Sequence, residues 1–114
     1  MIDHITVAVS DLTKSRLFYE KAFAPLGYTL SFGKEEVFWA FDIGNGCLFE
    51  IQQTDSTAPL TRIHVAFRAN NRAEVDAFYQ SALAAGARDN GAPGPRPDYT
   101  PHYYACFILD PDGY

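Results

Sequence analysis

The sequence predicts an α+β fold: two βαβββ modules paired into a curved mixed sheet trough, with the helices on its outer face. Three observations carry this expectation. Strand-period and helix-period segments follow one another in the order β-α-β-β-β. A second run begins near residue 64 and aligns with the first without gaps. Each module has one amphipathic helix, which needs an apolar sheet face to cover. With 114 residues, 47% of them hydrophobic and 15% aromatic, the chain has enough material for one core, so a single domain over residues 1–114 is expected.

"DHITVAVSD" alternates as a strand. "DLTKSRLFYEKAFAPLG" reads as a helix starting at an Asp11 or Thr13 cap and ending at Pro25 and Gly27. "YTLSFGK" and "EVFWAFDI" are strands, and the turn "GNG" leads into a fourth, "CLFEIQQT". A short loop, "DSTAPLT", separates this module (about residues 1–54) from the next (about 62–114). The second opens with the strand "RIHVAFRA" and the helix "NNRAEVDAFYQSALAAG". There Asn71 and Glu74 have capping-box spacing, and Val75, Phe78, Tyr79, Ala82, Leu83 and Gly86 form one stripe. The Gly/Pro-rich loop "GARDNGAPGPRPDYTPH" then precedes the strand "YYACFILD". After the turn Asp110-Pro111-Asp112-Gly113 only Tyr114 follows, so the second module's last strand is expected to be missing from the chain.

The repeat places His4 on His64, Phe18-Tyr19 on Phe78-Tyr79, Ala22 on Ala82 and Ala24 on Ala84. Strand parity sorts the faces. Ile5, Val7 and Val9 share an apolar row, as do Cys47, Phe49 and Ile51, and Ile63, Val65 and Phe67. His4, Glu50 and His64 therefore fall on the face turned away from the helices. Two imidazoles and a carboxylate converging there would suit Zn, Ni, Fe or Mn, although a histidine on a polar strand face is more often solvated or hydrogen-bonded. Arg68 shares that parity and can meet an anionic ligand. Arg96, Tyr99, His102 and Tyr104 come from the long loop and the strand after it, where they can cap the trough and contact substrate or merely stiffen a connection. Phe38, Trp39 and Phe41 read as packing residues.

A net charge of −5 and a pI near 4.9 argue against nucleic acid or an anionic membrane as partner. The N-terminus lacks a signal-peptide pattern, so a cytoplasmic protein is expected. Cys47 and Cys106 are too few for a disulfide framework or thiolate zinc site and read as buried strand thiols.

"DHITVAVSDLTKSRLFYEKAFAPLGY", "IHVAFRANNRAEVDAFYQSALAAGA" and "GPRPDYTPHYYACFILDPDGY", with the duplication, resemble the vicinal oxygen chelate superfamily of glyoxalase I, bleomycin-resistance proteins and extradiol dioxygenases. The resemblance implies a divalent metal in the trough, a small-molecule substrate and a homodimer. It places the metal ligands at His4, Glu50 and His64, with a fourth acid beyond Tyr114. A glyoxalase-like lyase or isomerase is the expected function, with the proton moved by Glu50 or by the acid expected beyond Tyr114. The alternatives are a metal-free drug-sequestration protein and an extradiol-dioxygenase-like oxidoreductase.

Overall fold

The computed structural model of the protein describes residues 1–55 and 63–114. The expected "DSTAPLT" loop, apart from Asp55, and Arg62 at the start of "RIHVAFRA" lie outside the described residues.

The first half follows the predicted order: β1 (His4–Val9), α1 (Leu12–Phe23), a 3-10 turn (Ala24–Leu26), β2 (Thr29–Lys34), β3 (Phe38–Asp42) and β4 (Leu48–Gln53). These strands form a mixed sheet ordered β1-β4-β3-β2. β1 runs parallel to β4, with His4 opposite Leu48 and Thr6 opposite Glu50, while β4–β3 and β3–β2 are antiparallel. A parallel pair needs a long crossover, and α1 lies within the connection. Asp11 caps α1 by accepting the Lys14 N–H at 3.0 Å, so Thr13 falls inside the helix. Pro25 sits in the first turn of the 3-10 segment, and Gly27 closes it at φ 74°, in the left-handed region that a side chain disfavours.

Helix spacing puts Leu12, Ser15, Phe18, Tyr19, Ala22 and Phe23 on one buried stripe of α1. Val7, Val9, Phe49 and Ile51 meet it from the sheet, as strand parity predicts. Phe23 is fully buried, and its ring centroid lies 5.3 Å from that of Phe41, 5.6 Å from Phe49 and 4.9 Å from Phe67. Burial of each such ring is worth about 1.5–3 kcal/mol.

In the second half, α2 (Arg72–Ala84) begins as predicted: Asn71 Oδ1 accepts the Glu74 N–H at 2.9 Å. The Glu74 carboxylate reaches back one residue further than a standard capping box, accepting from Asn70 N at 2.7 Å. The long loop is not structureless, because Arg88–Asp89 (β5) and Gly94–Pro95 (β6) lie within it. The expected strand "YYACFILD" is divided between Tyr104–Ala105 (β7), paired with β6, and Ile108–Leu109 (β8), paired with β5. The division falls where two residues oppose one: Asn90 N donates to the Phe107 carbonyl, and Phe107 N to that of Gly91.

Residues 63–69 depart furthest from expectation. Their burial alternates with period two, Val65 and Phe67 being more enclosed than His64, Ala66 and Arg68. Among the described residues no ladder includes them, and the described strands pair as a four-stranded mixed sheet and two two-stranded pieces. In the first half, β1 obtains its ladder from β4; residues 63–69 find no counterpart of β4 among the described residues.

The terminal turn is a clasp between the halves. Asp110, only 3% exposed, accepts from Tyr19 Oη at 2.6 Å and from the backbone N–H groups of Asp112 and Tyr114, both at 2.9 Å. The Asp112 carboxylate accepts from Ser10 N and Oγ at the end of β1, and Tyr114 Oη donates to the Ala8 carbonyl at 2.9 Å. No helix among the described residues is long and apolar enough to cross a membrane.

Tyr19→Phe leaves a buried carboxylate short of its side-chain donor and should cost about 1.5–3 kcal/mol, read as a fall in denaturation midpoint. Burial first, then the Asp110 charge, holds the Tyr19 phenol well above its ordinary range. Because the folded-state pKa is raised, the associated stability is complete below about pH 10 and declines as pH rises through the folded value. Chemical denaturation from pH 8 to 11 should show this decline, shallower in Tyr19→Phe.

Candidate functional site

Glu50 sits mid-strand in β4, half-buried on the face opposite the aromatic core. Its Oε2 accepts from Thr6 Oγ1 at 3.0 Å across the β1–β4 pair, and Oε1 has no partner among the described residues. Two residues before Thr6 on the same face stands exposed His4, whose Nδ1 lies 2.8 Å from Asp3 Oδ1. The Asp3 hydrogen bond first, then the Glu50 charge, raises the imidazole pKa above its ordinary value. His4, Thr6 and Glu50 thus make a polar patch on adjacent strands, as parity predicts.

The remaining candidates divide by location. The His64 ring packs edge-on against Phe107, centroids 5.8 Å apart. With Arg68, His102 and Tyr104 it lines a cleft of about 1110 Å³ that separates residues 63–69 from the β7–β8 segment. Tyr104 is committed to α2: its Oη donates to Asp76 Oδ1 at 2.7 Å, and the Arg72 guanidinium lies over its ring. Arg96 braces its own loop, donating from Nη2 to the Ala92 carbonyl at 2.8 Å and covering Phe107. Tyr99 is exposed and stacks edge-on with Tyr103. Arg68 and His102 remain exposed at the cleft.

Among the described residues, no three His, Cys, Asp or Glu side chains are grouped so as to hold a metal ion. His4 and Glu50 are neighbours on β1 and β4, but His64 faces Phe107, so the three expected ligands do not form a closed set. Both cysteines are free and half-buried just outside strands, Cys47 before β4 and Cys106 between β7 and β8. Burial pushes the Cys106 thiol up, which disfavours the reactive thiolate.

Sequence reasoning missed Thr6, which sets the Glu50 carboxylate, and Asp110, which reads only as a turn residue. Cross-strand parity could have found Thr6; nothing local announces that Asp110 is buried.

The family model described as the glyoxalase/bleomycin resistance protein/dioxygenase superfamily matches residues 1–114. The chain belongs to that superfamily. Among solved structures, a glyoxalase/bleomycin resistance protein from Albidiferax ferrireducens T118 is 26% identical with a TM-score of 0.81, covering 99% of this chain and 92% of that one. A glyoxalase-related enzyme from Fulvimarina pelagi shares the fold at 19% identity and a TM-score of 0.77, covering 100% of this chain and 83% of its own. A lactoylglutathione lyase from Agrobacterium tumefaciens does so at 19% and 0.66, covering 99% and 87%. No curated protein matches the chain. Superfamily membership fits the order β1-β4-β3-β2 beneath one helix and the partial repeat of that unit.

Asp3→Asn removes the largest cause of the raised His4 pKa, so its imidazole should titrate closer to the ordinary value of about 6.5. An NMR pH titration of the His4 ring in both proteins checks this.

Proposed function

We propose that the protein is a small-molecule lyase or isomerase of the vicinal oxygen chelate kind, working on the polar face of β1 and β4. The observation that carries the proposal is the Glu50 carboxylate, with one oxygen fixed by Thr6 and the other open beside His4. Such an acceptor suits proton transfer at carbon. Glu50 Oε1 takes a proton from the carbon next to a carbonyl, and the electron pair moves to the carbonyl oxygen as an enolate. His4, which holds its proton more tightly beside Asp3 and Glu50, donates a hydrogen bond to that oxygen. In an α-hydroxycarbonyl substrate the hydroxyl proton passes to the enolate oxygen, Glu50 returns its proton to the former carbonyl carbon, and the former hydroxyl carbon becomes the carbonyl. In this reading Arg68 and His102, exposed at the cleft, would attract an anionic substrate.

A divalent ion is the cofactor implied by the superfamily, with His4, Glu50 and His64 its expected ligands, and when bound it would act as a Lewis acid on substrate oxygens. Because His64 is directed to Phe107, no step above passes through it. That placement favours a second reading, metal-free ligand binding, over ring-cleaving oxidation, which needs both histidines on one ion. The proposal also includes a cytoplasmic homodimer, its self-association supported by the exposed Phe32 and Val37 beside the β2–β3 connection.

Thermal denaturation with Zn, Ni or Mn, with and without chelator, separates the two readings. A metal-dependent rise in Tm that His4→Ala plus His64→Ala abolishes supports the metal-assisted lyase; ligand-induced stabilisation that survives chelation supports binding alone. Solvent deuterium incorporation beside the carbonyl of α-hydroxycarbonyl compounds, followed by NMR, tests Glu50. Glu50→Gln should lower the exchange rate by about 10²-fold or more while leaving the folding free energy within about 1 kcal/mol of the parent. Exchange undiminished in that variant would sink the assignment.

A further inference from the structure

We propose that Asn45-Gly46, in the turn between β3 and β4, is a site of spontaneous backbone modification, where the Asn45 amide cyclises onto the Gly46 nitrogen and reopens as aspartate or isoaspartate. The reaction needs a side-chain amide, the backbone nitrogen of the next residue and freedom for the two to meet. A following glycine favours it, because no side chain stands beside that nitrogen. The chain has two such pairs, Asn45-Gly46 and Asn90-Gly91, and the fold treats them differently.

Asn45 and Gly46 are both exposed, at φ 54° and 74°, and these two left-handed residues make the tight turn between antiparallel strands. The turn is closed by Cys47 N donating to the Gly44 carbonyl at 3.0 Å and by Ile43 N donating to the Cys47 carbonyl at 3.1 Å. Neither bond uses the reacting groups. Among the described residues, Gly46 N and the Asn45 amide have no hydrogen-bond partner, and a Cβ placed on Gly46 would meet nothing within 4 Å. Asn90 is exposed as well, so the difference between the pairs lies in the backbone. Gly91 N donates to Asp89 Oδ1 at 2.9 Å, Asn90 N to the Phe107 carbonyl at 2.9 Å, and Phe107 N to the Gly91 carbonyl at 2.8 Å. The Phe107 ring also stands 3.1 Å from where a Gly91 Cβ would lie. Turning Gly91 N toward the Asn90 amide breaks this clamp, whereas the same rotation at Gly46 strains only the turn bond from Cys47.

In the reaction Gly46 N attacks Asn45 Cγ and closes a succinimide ring. The Cγ–Nδ2 bond breaks, and the Gly46 proton leaves with Nδ2 as ammonia. Water then opens the ring at either carbonyl. Both products place a new carboxylate just ahead of β4, and opening at the backbone carbonyl also routes the chain through Cγ, adding a methylene between Gly44 and Cys47. Leu48 N, which donates to the Asp3 carbonyl at 2.9 Å, is the next bond along the chain, so isoaspartate loosens the entry to β4. Glu50 lies deeper, with ladder partners on both sides, and the inference stands independently of the proposed reaction.

The test incubates the folded protein, and the same protein in concentrated urea, at mildly alkaline pH. Trypsin then separates the two pairs, because residues 35–62 and 89–114 fall in different peptides, Arg96 being protected by the proline after it. Mass spectrometry of each peptide follows conversion of amide to acid. In the folded protein Asn45 should convert at least roughly tenfold faster than Asn90, and in urea the two rates should converge. Equal rates in the folded protein, a faster Asn90, or a tenfold difference that persists in urea would overturn the proposal. Amide hydrogen exchange at Cys47 and Leu48 should be faster in the aged protein than in Asn45→Asp, which carries the same charge without the added methylene. Exchange matching that variant would overturn the isoaspartate product.

Discussion

Phe67 does for residues 63–69 what a ladder does for β1. Its ring enters the cluster of Phe23, Phe49 and Tyr28, with centroids 4.9, 5.2 and 6.1 Å away, and Tyr28 also grips the neighbouring Arg68 carbonyl. This segment, unpaired by any ladder among the described residues, is held against the first-half core by Phe67 and Val65 and by the Tyr28 hydrogen bond. Its alternating burial follows, because fixing Phe67 inward orients Val65 to the same side and leaves His64 and Arg68 outward. The direction taken by each candidate site residue on this segment therefore depends on core packing in the other half of the molecule.

Much of this was legible in the sequence because it rests on periodicity. The inward rows of β1 and β4, the caps at Asp11 and Asn71, and the polar placement of His4 and Glu50 all follow from spacing alone. What spacing cannot convey is the competition for a side chain. Tyr104 and Arg96 look free in a Gly/Pro-rich loop, yet Asp76 and the Ala92 carbonyl claim them. His64 has the right parity to join His4 and Glu50, but parity fixes a face, not a rotamer or a neighbour, and Phe107 supplies the neighbour. The short strands β5 and β6 were hidden for a related reason. β6 is Gly94-Pro95 and β5 contains Asp89, all residue types that disfavour strand, and pairing with β7 and β8 overrides that preference.

The electrostatics of the two faces differ in kind. On the polar patch, Asp3 and Glu50 act on an exposed imidazole, so their influence is open to salt and to any bound ligand. At the clasp, Asp110 and Tyr19 are both buried and their bond is short. There the low-dielectric surroundings make the carboxylate depend on its donors, and one lost donor matters more. The first arrangement suits a group that must exchange protons, the second a group that must hold position.

The repeat-related tyrosines show how the halves came to depend on each other unequally. Tyr19 reaches across the molecule to Asp110, whereas Tyr79, its counterpart in α2, donates to Asp89 within its own half at 3.0 Å. Every ladder of the four-stranded sheet is closed inside the first half. The second half instead takes its positioning from elsewhere: Phe67 from the first-half core, and the end of the chain from Tyr19, Ser10 and Ala8. Loss of these cross-contacts would leave the ladders of β1 to β4 intact while freeing residues 63–69 and the terminal turn from the first half, so the second half depends on side-chain contacts where the first depends on backbone pairing.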